Sequence, residues 1–218
     1  MILIPVKNLK NAKQRLAAVL DQSARTELAQ AMLTDVLETV NSCADRLQVS
    51  LVTSDPFAIA LAKSFDLDVI SDSEAHSETE AIAIATRACE ERGDKFTLVI
   101  PADIPLMSVS ELETVLRAAP LEGSVLVPSS DKRGTNAVLR RPCGLFPLRF
   151  GNDSFAPHLA SAKSSGKPCI ELSLPGIGLD IDNPTDLRLL AEACGEKRSQ
   201  ILARRWNFSE VPQAANGR

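Results

Sequence analysis

Phe96-Thr-Leu-Val-Ile-Pro-Ala-Asp103 is an apolar run that stops at an aspartate. The pattern is that of a strand buried on both faces, as in parallel sheets. Working outward, apolar runs alternate with helical patterns along the whole chain. Strands are expected at Met1–Val6, Gln48–Ser54, Leu67–Ile70, Phe96–Ile100, Ser124–Pro128, Ala137–Arg140 and Ile170–Leu174. Helices are expected at Ser23–Cys43, Pro56–Phe65, Ser77–Arg92, Ser108–Ala118 and Phe155–Ser165, with a late one starting over Thr185–Ala193. Ser108 followed by Glu111 has the spacing of a capping box. The rhythm is that of an α/β three-layer domain with a mostly parallel sheet. Ligands of such sheets bind beyond the carboxyl ends of the strands, which is where Asp103 stands.

The chain has 218 residues, 44% of them hydrophobic and 24% charged, enough for one domain with a full core. We read residues 1–207 as one domain and 208–218 as a flexible tail. A net charge of −4 makes nucleic acid an unpromising partner. The apolar start is too short for a signal peptide or a membrane span. The five cysteines, Cys43, Cys89, Cys143, Cys169 and Cys194, are scattered and odd in number, as expected of reduced thiols in the cytoplasm. No glycine precedes Gly93, so the first strand–helix connection carries neither a GxGxxG fingerprint nor a Walker A loop.

Two further aspartates stand one residue apart in Gly178-Leu-Asp180-Ile-Asp182-Asn-Pro184. In extended backbone, residues i and i+2 face the same way. Were Asp103 to join Asp180 and Asp182, the cluster would need a cation. Carboxylate oxygens suit magnesium, which usually brings phosphates with it. The alternative for Asp103 is a turn or helix cap, and for the later pair a strand end capped by Asn183 or Thr185.

Four other segments offer anion chemistry. Lys7, Lys10, Lys13 and Arg15 follow the first strand and could grip a triphosphate, although a solvated basic loop fits too. Arg133-Gly134-Thr135-Asn136 combines a glycine with hydroxyl and amide groups, and a plain turn fits equally well. Phe150-Gly151-Asn-Asp-Ser154 enters a helix whose first N–H groups could bind an anion, unless Asp153 or Ser154 caps it. His158 reads as a packed or surface residue. The chain has only two histidines, so a histidine mechanism or a zinc site has little to draw on.

Taken together, PVKNLKNAKQRL (Pro5–Leu16), LVIPADIPL (Leu98–Leu106), GTNAVLRRP (Gly134–Pro142), FGNDSF (Phe150–Phe155) and GLDIDNPTDL (Gly178–Leu187) resemble one family. It is that of the 2-phospho-L-lactate and phosphoenolpyruvate guanylyltransferases of coenzyme F-420 biosynthesis, which includes a 3-phospho-D-glycerate subgroup. The resemblance implies a GT-A-like, Rossmann-like nucleotidyltransferase domain with a mostly parallel mixed sheet. It implies GTP and a phosphorylated three-carbon acid as substrates, and a downstream deazaflavin transferase receiving the product. Asp103, Asp180 and Asp182 match the family's Mg²⁺ ligands, and Thr135, Gly151 and Ser154 its acceptor contacts. Lys7, Lys13 and Arg15 fall in its triphosphate loop, with Pro101 and Ala102 beside the nucleotide. Asp103, Lys13 and Arg15 are the expected catalytic groups. His76–Glu80 replaces a Gly-Leu-Asn-like segment usual in the family, leaving Glu78 or Glu80 to meet the base or ribose. Neither the motifs nor the composition chooses among the three acids or between monomer and homodimer.

Overall fold

Ile2-Leu-Ile-Pro5 forms β1, an interior strand of a seven-stranded mixed sheet. The computed structural model describes residues 1–43 and 47–206, so the expected tail over 208–218 lies outside the described residues. The other strands are β2 (Val49–Val52), β3 (Asp68–Ile70), β4 (Thr97–Val99), β5 (Gly123–Pro128), β6 (Thr135–Arg141) and β7 (Cys169–Glu171). Their order is β3-β2-β1-β4-β6-β5-β7. Only β6 is reversed, pairing antiparallel with both β4 and β5.

The helices are α1 (Gln22–Asn41), α2 (Pro56–Ser64), α3 (Glu78–Glu91), α4 (Val109–Ala118), α5 (Phe155–Ser164), α6 (Pro175–Gly178), α7 (Pro184–Glu192) and α8 (Arg198–Arg205). Alternation along each strand makes the three layers. Ile2 and Ile4 of β1, Leu98 of β4 and Leu139 of β6 pack with Leu33 and Leu37 of α1. Leu3, Val99 and Val138, one residue out of phase, pack with Ile82 and Ala85 of α3 on the other face. A third cluster joins Leu16 and Leu20 to Leu28 and Met32 of α1 and to Ile181, Leu187 and Leu190. It fixes the segment carrying Lys13 and Arg15 against the one carrying Asp180 and Asp182. No helix among the described residues is long and apolar enough to cross a membrane.

The expected strands and helices all form, with shifted ends. β6 starts two residues early, at Thr135, because its first residues pair with the end of β5. β7 stops at Glu171, short of the expected Leu174. The Ser108–Glu111 capping box is present, and Glu111 also accepts from Gly176 N at 2.7 Å. Asn183, not Thr185, caps α7.

Helix α8 had no counterpart in the sequence reading. It is held by α1, whose buried Asp35 accepts from Arg198 N (3.0 Å), Ser199 N (2.9 Å) and Ser199 Oγ (2.5 Å). Just before it, Lys197 Nζ donates to Pro105 O (2.5 Å), Met107 O (3.0 Å) and Thr39 Oγ1 (3.1 Å). Helix α8 thereby secures the loop that follows Asp103. We expect Asp35→Ala to lose about 2–3 kcal/mol in urea unfolding, because it strips a carboxylate from buried donors. Ser199→Ala, which removes one of the three bonds, should lose less. An Asp35→Ala midpoint equal to wild type would show that α8 is docked by other contacts.

Candidate active site

The carboxyl rim of the sheet gathers the motif residues. β1 leads into the loop of Lys7 and Lys13, and β4 leads through Pro101 and Ala102 to Asp103. Because β6 runs the other way, its beginning reaches the same rim: Val138 lies opposite Val99, so Thr135 and Asn136 extend past the end of β4. The segment before α7 is stitched in by Ile181 N, which donates to Asp103 O at 3.0 Å.

Lys13 stands at the centre. Its backbone is left-handed (φ 57°), at the start of a short 3-10 turn over Gln14–Leu16. This bend turns the side chain inward, where it is 7% exposed. Its Nζ donates to Asp103 Oδ2 at 2.6 Å and to Asp182 Oδ1 at 2.7 Å. Burial alone would lower the ammonium's pKa, but Asp103 and Asp182 outweigh it and the pKa is raised. Lys13 is therefore a permanent cation rather than a base. Asp182 is pulled the other way: burial opposes its charge, yet Lys13 and then Arg15 hold its pKa below the usual range. Asp180 faces Asn136, whose Nδ2 donates to Asp180 Oδ1 (3.0 Å) and Ile177 O (2.9 Å). Burial, helped by the Asp103 charge, raises the Asp180 pKa against that hydrogen bond.

Of the three carboxylates expected to converge, two do so, and around an ammonium. Asp103 and Asp182 share Lys13, and Asp180 is held aside by Asn136. Among the described residues no three His, Cys, Asp or Glu side chains enclose a common point. The physical reason is repulsion, which the nearest flexible cation relieves.

Cavities flank this cluster on two sides. One, of about 450 Å³, is lined by Lys7, Lys13, Glu78, Pro101, Ala102 and Asp103, so most of the expected nucleotide residues share it. Burial raises the Glu78 pKa despite the nearby Lys7 cation. Glu80 instead closes a turn by accepting from His76 N at 2.7 Å. A neighbouring cavity of about 540 Å³ shares Val6, Lys7 and Asn8 and extends to Ser54, Asp72 and His76. Asp55, which the sequence reading passed over, braces this side. It caps α2 through Oδ1 and accepts from Leu9 N through Oδ2 at 3.1 Å. The only hint was an aspartate preceding Pro56.

The cavity on the other side, about 250 Å³, is lined by Arg15, Arg133, Gly134, Gly151, Asp180 and Asp182 among others. Arg15 belongs here rather than beside Lys7: its guanidinium lies 3.5 Å from Asp182 Oδ2 and 3.4 Å from Asn152 Oδ1. The turns at Gly134 and Gly151 are tied by Phe155 N to Arg133 O (2.9 Å) and by the two-pronged Arg133–Asp153 ion pair (2.5 and 3.3 Å). Gly151 has φ +126°, a conformation that L side chains rarely adopt, with open space where a side chain would start. Thr135 and Ser154 are buried, next in the chain to Gly134 and Asp153, which line this cavity. Ser154 takes the N-cap position of α5 but makes no capping hydrogen bond, and Asp153 is engaged by Arg133. Neither expected cap operates. The Ser154 hydroxyl donates to Thr135 Oγ1 at 3.4 Å instead.

His158 is fully buried in α5, packed as expected. Burial, then the Arg140 charge, lowers its pKa from 6.5 to about 4. In the unfolded chain the imidazole gains a proton as pH falls below about 6.5; in the fold it resists until about 4. Its contribution to stability is therefore complete above pH 6.5 and lost as pH falls towards 4. We expect the urea midpoint of the wild type to drop between pH 7 and 4.5 more than that of His158→Gln. Parallel profiles would contradict a neutral buried imidazole.

Solved structures locate the fold. A Desulfovibrio desulfuricans G20 protein described as a nucleotide-diphospho-sugar transferase superposes with a TM-score of 0.77 at 18% identity, covering 94% of this chain and 93% of its own. CMP:2-keto-3-deoxy-manno-octonic acid synthetase, solved with CTP, superposes at 0.60 with 13% identity, covering 94% and 98%. These likenesses give the fold, and the curated relatives, named as guanylyltransferases, make this chain a nucleotidyltransferase enzyme. More narrowly, it belongs to the guanylyl transferase family described as CofC like, whose model matches residues 1–216. Its curated relatives include the phosphoenolpyruvate guanylyltransferase of Sphaerobacter thermophilus, 34% identical over 86% of this chain and 90% of the relative. The 3-phospho-D-glycerate guanylyltransferase of Colwellia psychrerythraea is 31% identical over 87% and 90%.

Proposed function

We propose that this protein transfers GMP from GTP to the phosphate of a phosphorylated three-carbon acid, releasing pyrophosphate, as a step of coenzyme F-420 biosynthesis. The observation that carries the reading is the Lys13 bridge: Asp103 at one end lines the cavity of Lys7, Pro101 and Ala102, and Asp182 at the other lines the cavity of Arg15, Gly134 and Gly151. Two substrates entering from opposite sides would bring their phosphates together there. Two relatives named for phosphoenolpyruvate and 3-phospho-D-glycerate support the acceptor class.

The nucleotide enters on the Lys7 side, with its base and ribose toward Glu78 or the wider cavity near Asp72. The acceptor enters on the Arg15 side, under Thr135, Gly151 and Ser154. Its phosphate has a second pKa of about 6 and is largely dianionic at neutral pH, so no base is needed. An acceptor oxygen attacks the α-phosphorus in line, and the bond to pyrophosphate breaks. Lys7 and Lys13 stabilise charge on the departing pyrophosphate, and Arg15 steadies the incoming phosphate. The carboxylates of Asp103, Asp180 and Asp182 have the hard-oxygen chemistry of magnesium ligands, and an ammonium already bridges two of them. They would hold Mg²⁺, which supplies charge neutralisation between phosphates when bound.

We expect Asp103→Asn and Asp182→Asn each to lower turnover by about two orders of magnitude or more with folding intact. Near-normal rates in both would remove the role given to the junction. Ser154→Ala should raise the acceptor KM more than the GTP KM, and equal effects would count against its place in the acceptor site. The reaction itself is tested by incubating the protein with GTP, Mg²⁺ and phosphoenolpyruvate, 2-phospho-L-lactate and 3-phospho-D-glycerate together. Mass spectrometry should show a guanosine diphosphate adduct of at least one acid. With no adduct and no pyrophosphate, the reading fails.

A further inference from the structure

His158 lies inside α5, yet its ring is wired to Thr135, next to the Gly134 that lines the cavity of Arg15. The backbone N–H of Arg149 donates to His158 Nε2 at 2.8 Å. An imidazole nitrogen that accepts carries no proton, so in the neutral ring the proton sits on Nδ1. Nδ1 lies 3.0 Å from Thr135 Oγ1, and this contact is therefore a donation from the ring to the threonine. Ser154 Oγ donates to the same oxygen at 3.4 Å. A hydroxyl oxygen has two acceptor lone pairs and one proton. With both lone pairs engaged, the Thr135 hydroxyl can act only as a donor.

Resting on the acceptor reading above, we propose that His158 is a positioning residue that fixes the Thr135 hydroxyl as a donor to an anionic oxygen of the acceptor, and so selects a carboxylate or phosphate there. The ring is held for this task. Phe150 packs against it edge-on at 5.2 Å between centroids, and the Phe150 N–H is itself anchored on Thr79 Oγ1 at 2.9 Å. The two residues before Gly151 thus orient the ring from two directions, through the Arg149 N–H and the Phe150 side chain. A histidine whose only task was to fill space would not need its tautomer set by a backbone amide.

The test measures direct binding of phosphoenolpyruvate and 3-phospho-D-glycerate by calorimetry, binding of GTP separately, and the steady-state KM of each substrate. His158→Phe removes the donor to Thr135, and His158→Gln keeps an amide able both to accept and to donate. We expect His158→Phe to weaken acceptor binding and raise its KM by about tenfold, in line with loss of one hydrogen bond to a charged group. GTP binding should be unchanged, and His158→Gln should recover much of the loss. Thr135→Val should show the same selective loss, and adding His158→Phe to Thr135→Val should cost nothing further, since the ring acts through that hydroxyl. Unchanged acceptor affinity in His158→Phe, equal loss for GTP, or additive losses in the double variant would each overturn the proposal. Should His158→Phe not fold, His158→Leu, which also removes the donor, combined with Thr135→Val gives the same cycle, with additivity again the overturning result. If the wild type binds GTP but neither acid, the acceptor reading itself fails, and the positioning role falls with it.

Discussion

Everything at the rim is arranged by the attraction between one buried ammonium and two carboxylates from segments far apart in the chain. Lys13, Asp103 and Asp182 come from the first connection, the end of β4 and the approach to α7. Neither aspartate could be brought near the other without a positive charge between them. The Lys13 ammonium could not be buried to 7% exposure without negative charge around it. Its raised pKa shows that attraction outweighs desolvation here. The arrangement is also exchangeable. A stronger cation at the aspartates, or phosphate oxygens beside the lysine, would take over half of each contact without moving the backbone.

Two kinds of support keep the charged groups in place. Packing of Leu16 against Ile181 and Leu187 clamps the lysine-bearing loop to the late aspartate pair. Hydrogen bonds then set directions: Asn136 holds Asp180, Asp55 holds the first loop through Leu9, and Lys197 holds the loop after Asp103. The apolar contacts determine which segments meet, and the polar ones determine how they face.

The layered fold was legible in the sequence because its strands are short apolar runs bounded by polar residues and its helices repeat with helical spacing. The rim position of Asp103 was legible as well, since it follows directly on an apolar strand run. Helix α8 was not: Arg198-Ser-Gln-Ile-Leu-Ala-Arg-Arg205 is too polar to announce a buried face, and its anchor is a single aspartate in α1. Nor could the sequence tell that Arg15 turns to the opposite side of the junction from Lys7. Only Gln14 separates Lys13 from Arg15, but a left-handed bend at Lys13 sends their side chains to different cavities. The Arg133–Asp153 pair and the wiring of His158 likewise depend on two turns meeting in space.

The reversed strand β6 has a consequence for how such an enzyme diversifies. Six strands deliver their last residues to the rim, whereas β6 delivers its first. On the proposed reading, recognition of the second substrate resides in turns around one inverted strand and the start of α5, outside the parallel framework assigned to the first. Changes to those turns can retune one half of the catalyst while leaving the other half's scaffold untouched, a division of labour written into strand polarity.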